Sequence, residues 1–173
     1  ISIFPSGERY SRFETFLKYR LRYFNMNVSV VGLGRLGLAF AASVAKNGMR
    51  VSGVDINVQR VEQIRQDPDS LKEPKVFEYI YDADYLLSVT TESAEVIPDT
   101  DITFIFVNTY DDENVGYSLD ALESATRDVG RALAGHDDPH LVVIRSTVMP
   151  GDINSRISEW LETESGRTVG EDI

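Results

Sequence analysis

The chain has 173 residues, a formal net charge of −11 and no cysteine, and its length suffices for one domain with a complete hydrophobic core. The acidic balance argues against a nucleic-acid partner, because phosphate neutralisation requires clustered lysine and arginine. Without cysteine, the sequence offers no disulfide, no thiolate nucleophile and no cysteine-ligated metal.

The histidines and the apolar segments also limit the functions that the sequence allows. Both histidines, His136 and His140, stand in a polar segment with Asp137, Asp138 and Pro139. We therefore predict that both are exposed loop residues and that no metal site forms around them. No apolar run approaches the roughly 18 residues of a membrane span, and no signal peptide is recognisable. These observations predict a cytoplasmic location and no membrane partner.

Residues 1–25 form a compositionally separate N-terminal extension. They carry five basic and two acidic residues, a net charge of +3, which leaves −14 on the remainder. Apolar side chains recur there at the spacing of an amphipathic helix, which would suit a membrane surface or a partner protein. They are Phe13, Phe16, Leu17, Leu21 and Phe24. Because Met26 resembles a natural start, we favour an arm without a function of its own and a domain over residues 26–173.

A βαβ pattern opens this domain. A short β-branched strand, Val28–Val31, leads without a gap into the spacing G-x-G-x-x-G at residues 32–37. An alanine-rich helix is predicted from about Arg35 to Asn47, and Gly48 is placed to end it in a left-handed conformation. A second strand, Val51–Val54, follows at once.

The glycines and the acid after the second strand indicate a dinucleotide site. Gly32 suits a tight strand-to-helix turn, Gly34 leaves the main chain open to a pyrophosphate, and Gly37 lets the helix lie close to the strand. The phosphates would meet the N–H groups at the positive end of the helix dipole. Asp55 would accept hydrogen bonds from both ribose hydroxyls of an adenosine and repel a 2′-phosphate, which predicts NAD rather than NADP. The alternative is a glycine-rich turn that only packs tightly.

Two short helices are predicted next. The first carries Val58, Val61 and Ile64 at helical spacing. Its Arg60 either reaches the adenosine side of the cofactor or is a solvated helix charge. After a polar loop, a second helix begins at Pro74.

Three strands alternate with helices in the remainder, at Leu86–Thr90, Ile102–Val107 and Leu141–Ile144. Thr91 is predicted to cap the turn after the first of them, and Ser118 to cap the long helix before the last. A final helix over residues 152–164 is predicted to carry Ile153, Ile157, Trp160 and Leu161 on one face. The alternation predicts an α/β fold: a Rossmann-type, doubly wound parallel sheet in a single domain. Asn108 and Thr109 would then follow a strand at the edge where such sheets bind ligands.

From Met26 onward, the chain resembles the N-terminal domain of the UDP-glucose/GDP-mannose 6-dehydrogenases. Residues 30–38 are similar to the family's V-I-G-L-G-Y-V-G-L, with Arg35 in place of the tyrosine, and residues 53–56 to its G-V-D-I. Residues 146–151 resemble its S-T-V-x-P-G signature, which is the most specific single match. Asn108 and Tyr110 depart from the family, which usually has prolines there.

The resemblance implies an NAD site that extends beyond the glycine loop. It places Thr147 near the nicotinamide half of the cofactor, matches Thr109 to the threonine of the family's V-P-T-P, and aligns Arg60 with a basic NAD contact. The predicted cofactor-binding residues are Gly32, Leu33, Gly34, Arg35, Leu36, Gly37, Asp55, Ile56, Arg60, Asn108, Thr109, Ser146 and Thr147.

The family's catalytic groups have no counterpart in this sequence. Its enzymes oxidise a sugar C6 alcohol to the acid with two NAD molecules, through a thiohemiacetal on a late cysteine, and use a P-E-F-L-R-E-G segment and a central lysine. We therefore expect an NAD-binding domain without the catalytic and sugar-binding parts, inactive alone. Binding of the nucleotide sugar and formation of a homodimer would require the missing central region.

Other functions remain open at this point. Arg145 and the apolar run before it favour the GDP-mannose and archaeal UDP-glucose branches of the family, without deciding the sugar. A β-hydroxyacid or 6-phosphogluconate type dehydrogenase shares the glycine loop, but the S-T-V-x-P-G match and Thr90-Thr91 argue against it. A stand-alone, non-catalytic NAD-sensing domain is the remaining alternative.

Overall fold

The structure, a computed structural model, describes residues 26–71, 74–111 and 116–173. The amphipathic helix predicted within residues 1–25 lies outside the described residues. The strands of the described part are β1 (Asn27–Val31), β2 (Arg50–Val54), β3 (Leu87–Thr90), β4 (Ile102–Ile105), β5 (Tyr110–Asp111), β6 (Gly116–Tyr117) and β7 (Leu141–Ile144). The α-helices there are α1 (Arg35–Lys46), α2 (Val58–Gln66), α3 (Pro74–Asp82), α4 (Ser93–Val96), α5 (Asp120–Leu133) and α6 (Ser158–Ser165).

Five of these strands form one parallel sheet in the order β3-β2-β1-β4-β7. The chain builds the sheet outward from β1 to β3 and then returns to the other side of β1 with β4. This reversal is a topological switch point, and in open α/β sheets ligands bind beyond the carboxyl ends of the strands at such a point. The predicted doubly wound parallel sheet is confirmed. Strands β5 and β6 form a separate antiparallel pair after β4.

Helices cover both faces of the sheet because successive side chains of each strand point in opposite directions. Val28 and Val30 of β1 belong to a buried cluster with residues of α1, α2 and α3. Val31 belongs to a second cluster, formed with residues of α5 and α6. Two hydrophobic cores therefore hold the sheet from its two faces.

The prediction that both histidines are exposed is wrong: His140 is only 5% exposed, and His136 is half-buried. Its Nε2 lies 2.7 Å from the Thr103 hydroxyl, which is in turn 2.6 Å from the Ser29 hydroxyl. Burial lowers the pKa of His140. The polar neighbours of His140 in the sequence gave no sign of this, since its partners come from β4 and β1.

Several local predictions are also corrected. The apolar run Leu141–Ile144 predicts a buried strand, but β7 is the edge of the described sheet, so it is only half-buried, and Leu141 is exposed. Thr91 does not cap the following turn; the Thr90 hydroxyl accepts the Glu92 N–H instead. Ile153 is exposed because a π-helical turn, Ile153–Ile157, precedes α6. The extra residue in that turn rotates Ile153 away from the face that carries Ile157, Trp160 and Leu161.

Candidate functional site

The glycine-rich loop between β1 and α1 has the geometry that its spacing predicts. Gly32 has φ +92° and donates its N–H to the Val54 carbonyl at 2.8 Å. A Cβ on Gly37 would lie 1.9 Å from the Gly32 carbonyl oxygen, so only glycine lets α1 approach the loop this closely. A Cβ on Gly34 would meet no atom within 4 Å. Gly34 is exposed, and the main chain at this position is therefore open to a ligand.

The amino end of α1 is suited to a negatively charged group. Gly34 is its N-cap residue and has no side chain that could cap the helix, and the first turn contains no acidic residue. The first N–H groups of any α-helix lack intrahelical acceptors, and the helix dipole favours an anion beside them. This end of α1 can therefore hold a phosphate with main-chain N–H groups.

Asp55 lies directly beside the loop, at the carboxyl end of β2. Its Oδ2 accepts the Leu33 N–H at 2.7 Å, and its Oδ1 accepts the Asn57 N–H at 2.9 Å. Each carboxylate oxygen can accept more than one hydrogen bond, so both can also bind a hydroxyl of a ligand. Arg60 donates from Nε to the Leu33 carbonyl at 2.9 Å. Asp55 thus binds the N–H of Leu33, and Arg60 binds its carbonyl oxygen. Arg60 therefore has a structural role in the loop.

A cavity of about 300 Å³ opens between the loop, the strand ends and α5. On the strand side its lining includes five of the predicted residues, Gly32, Gly34, Asp55, Ile56 and Asn108. The wall from α5 was not predicted; it consists of Ala121, Ser124, Ala125 and Asp128, with Thr91, Ser93 and Phe106 nearby. Small residues at helical spacing on α5 are a sequence signal for this wall, since they leave room beside a helix. Among the described residues, the lining contains two carboxylates and no lysine or arginine, which disfavours an additional phosphate in this cavity.

The predicted residues after β4 and β7 are brought to the same edge of the sheet but differ in exposure. The Ser146 hydroxyl donates to the Val107 carbonyl at 2.7 Å and accepts the Val107 N–H at 3.1 Å, so it ties the two strand ends together. Thr147 is exposed, whereas Thr109 is buried. Asn108 is exposed, and its side chain bonds to both backbone groups of Tyr110.

The positions of the strands divide the site into two halves. Asp55 follows β2 on one side of β1, whereas Asn108 and Thr147 follow β4 and β7 on the other side. A dinucleotide whose phosphates lie at Gly34 would therefore place one nucleoside at Asp55 and the other toward Thr147. Leu36 and Arg35 are exposed on the first turn of α1, between the two halves.

Among the described residues, no group of three or more histidine, aspartate or glutamate side chains is arranged to hold a metal ion. No helix in the same part of the chain is both long and apolar enough to cross a bilayer.

Comparisons with known proteins show to which family the chain belongs. Residues 26–173 match the sequence profile of the UDP-glucose/GDP-mannose dehydrogenase family, NAD binding domain. The chain is 32% identical over 149 residues to GDP-mannose 6-dehydrogenase of Pseudomonas aeruginosa, covering 85% of this chain and 34% of that protein. It is 34% identical over 148 residues to a UDP-glucose 6-dehydrogenase of Haloferax volcanii, covering 84% of this chain and 34% of that protein.

Solved structures give the same relationship. A ternary complex of the Pseudomonas aeruginosa GDP-mannose dehydrogenase superposes with a TM-score of 0.80 at 32% identity, over 85% of this chain and 34% of that one. A UDP-glucose dehydrogenase from Pyrobaculum islandicum gives a TM-score of 0.76 at 34% identity, over 83% of this chain and 34% of that one. The chain thus spans about a third of the length of these relatives. It belongs to the UDP-glucose/GDP-mannose dehydrogenase family and constitutes that family's NAD-binding domain.

Proposed function

We propose that residues 26–173 hold NAD across the carboxyl edge of the sheet, for a dehydrogenase that oxidises a nucleotide sugar at C6. The single observation that carries this assignment is the accessible main chain at Gly34, directly before the uncapped amino end of α1 and beside Asp55. In such an enzyme, NAD serves as the hydride acceptor. The residues of this chain bind and orient it.

Each part of the site has a distinct role in the proposal. Main-chain N–H groups at the amino end of α1, from Gly34, Arg35 and Leu36, hold the pyrophosphate, while the N–H of Leu33 is bound by Asp55 and keeps the loop in place. Asp55 accepts the hydroxyls of the adenosine ribose, and Ile56 lies against the adenosine. Asn108, Thr109, Ser146 and Thr147 form the nicotinamide side.

Arg60 acts through its hydrogen bond to Leu33, which keeps the loop in place for the pyrophosphate. The family resemblance aligns Arg60 with a basic NAD contact, so in this proposal its side chain also reaches the adenosine side of the cofactor.

Discrimination against NADP follows from the charge of the cavity. Both Asp55 and Asp128 line it, and no cationic side chain from the described part of the chain does so. A 2′-phosphate on the adenosine ribose would face the Asp55 carboxylate at close range, and like charges repel strongly where solvent is partly excluded. We expect NADP to bind at least about tenfold more weakly than NAD, a difference of about 1.4 kcal/mol.

Titration calorimetry with NAD tests the assignment. We expect Asp55→Ala to weaken NAD binding by at least about tenfold, since it removes the ribose acceptor and releases the Leu33 N–H. Asp101→Ala is a matched control: its carboxylate also accepts a backbone N–H at 2.7 Å, from Asn27, but at the opposite end of the strands. NAD affinity that is equal in the wild type and in Asp55→Ala would remove Asp55 from the ribose site.

Catalysis is proposed to depend on groups outside this chain. No side chain here is assigned as nucleophile, acid or base, so we expect the chain alone to produce no NADH from UDP-glucose or GDP-mannose. Absorbance growing at about 340 nm in that assay would contradict this expectation. The nucleotide-sugar substrate, the homodimer and the cytoplasmic location stay predictions from the sequence and the family resemblance.

A further inference from the structure

A pair of side chains outside the predicted site fastens the S-T-V-M-P-G turn, residues 146–151. Tyr117, in the short strand β6, donates its hydroxyl to Asp152 Oδ2 at 2.7 Å. The Met149 N–H donates to the same Asp152 oxygen at 3.0 Å and to the Tyr117 hydroxyl oxygen at 3.2 Å. The three groups form a closed triangle of hydrogen bonds. It joins the β5–β6 pair, which follows β4, to the end of the turn that follows β7.

The bond between Tyr117 and Asp152 joins a neutral donor to a charged acceptor. Hydrogen bonding from Tyr117 lowers the pKa of Asp152, and desolvation together with the bond to Asp152 raises the pKa of Tyr117. Near neutral pH the hydroxyl therefore keeps its proton and the carboxylate its charge. Hydrogen bonds of this kind are shorter and stronger than those between neutral groups. The bond accordingly restrains the turn although both side chains lie near the surface.

A second contact restrains the other end of the same turn. The Ser146 hydroxyl exchanges two hydrogen bonds with the backbone of Val107. Thr147 and Val148 therefore lie between two anchors, Ser146 on one side and Met149 on the other, and both anchors use partners from the segment that follows β4. Gly151, with φ +97°, lets the chain turn back so that Asp152 faces Met149.

From these contacts we propose that Tyr117 and Asp152 are positioning residues for the nicotinamide half of the cofactor: they hold the turn so that Thr147 faces it. The inference rests on the proposed NAD site, in which the nicotinamide lies toward the ends of β4 and β7. Neither residue touches the cofactor in this proposal. The adenosine half, at Asp55 on the other side of β1, does not depend on them.

Two ligands separate the halves of the site in the test. NAD uses both halves, whereas ADP-ribose lacks the nicotinamide ring. We expect Tyr117→Phe to weaken NAD binding about fivefold and ADP-ribose binding less than about twofold, as measured by titration calorimetry on the complete 173-residue chain. The ratio of the two dissociation constants is the readout, because a general loss of folded protein would change both constants alike.

Further variants control for the loss of a hydroxyl and for folding. Tyr110→Phe removes a hydroxyl from the residue that pairs with Tyr117 across the β5–β6 ladder, and it should leave the ratio unchanged. Asp152→Asn keeps an acceptor oxygen for Tyr117, so its ratio of the two dissociation constants should stay close to that of the wild type. Asp152→Ala should change this ratio as Tyr117→Phe does. The double variant should change it by less than the product of the two single effects, since both side chains belong to one network of hydrogen bonds.

The outcomes distinguish this inference from the proposed function. A wild-type chain that binds neither NAD nor ADP-ribose would refute the NAD site itself. A wild-type chain that binds both ligands, with the same ratio in Tyr117→Phe and in the wild type, would overturn the positioning role alone. Additive effects of Tyr117→Phe and Asp152→Ala would overturn it as well, because they would show that the two side chains act independently.

Discussion

Substituting Gly34 by alanine separates binding from folding more cleanly than any other change in the loop. Its φ of −63° and ψ of −171° are open to any residue, and an added Cβ would meet no atom within 4 Å. Gly34 is also the N-cap of α1, where alanine is less favourable than glycine. From these observations we expect Gly34→Ala to lower the free energy of unfolding by no more than about 1 kcal/mol.

The effect of Gly34→Ala on binding should be larger, because the methyl group would occupy the space through which a pyrophosphate reaches the main chain. Losing one charge-assisted N–H···O bond costs about 2 kcal/mol, which corresponds to a roughly thirtyfold higher dissociation constant for NAD. Titration calorimetry with NAD and thermal unfolding of the same samples measure both quantities. Adenosine, which has no phosphate, serves as the control ligand and should bind both forms equally.

Gly37→Ala provides the contrast. Its Cβ would lie 1.9 Å from the Gly32 carbonyl oxygen, so this variant should lose stability first and NAD binding as a consequence. A folded Gly34→Ala protein that binds NAD within about threefold of the wild type would refute the reasoning, because the pyrophosphate could then not lie against the loop.

Three further outcomes test other parts of the structure. The lowered pKa of His140 means that the unfolded chain takes up a proton more readily than the folded one, so stability should fall below about pH 6.5, by at most about 1.4 kcal/mol per pH unit. Denaturant titrations of His140→Gln at several pH values should show a flatter dependence; an unchanged slope would contradict this. Glu164 joins both arginines of α5 to α6. Glu164→Gln should therefore lower the midpoint of thermal unfolding by about 2 °C, and this difference should shrink in about 1 M salt. Equal shifts at low and high salt would argue against an ionic contribution. Ser146→Ala should weaken the binding of NAD more than the binding of ADP-ribose, as is expected of Tyr117→Phe. Equal loss of affinity for both ligands would exclude a role limited to the turn.

The sequence by itself determined the local features of this protein. The glycine spacing, the β-branched strands and the helical periodicity each reflect a conformation set by neighbouring residues, so the βαβ unit, the uncapped end of α1 and the placement of Asp55 after β2 could be predicted. The family resemblance rested on the same short segments, and the profile match and the superposed structures confirmed it. The alternation of strands and helices also predicted the parallel sheet.

Tertiary structure decided which distant residues meet. The α5 wall of the cavity faces the distant glycine loop. The bonds from Ser146 to Val107 and the burial of His140 against Thr103 join residues more than 30 positions apart. The restraint of the S-T-V-M-P-G turn by Tyr117 is of the same kind. The order of the strands determines these meetings, and that order follows from packing two apolar faces at once, a property of the whole chain that no local pattern of residues contains.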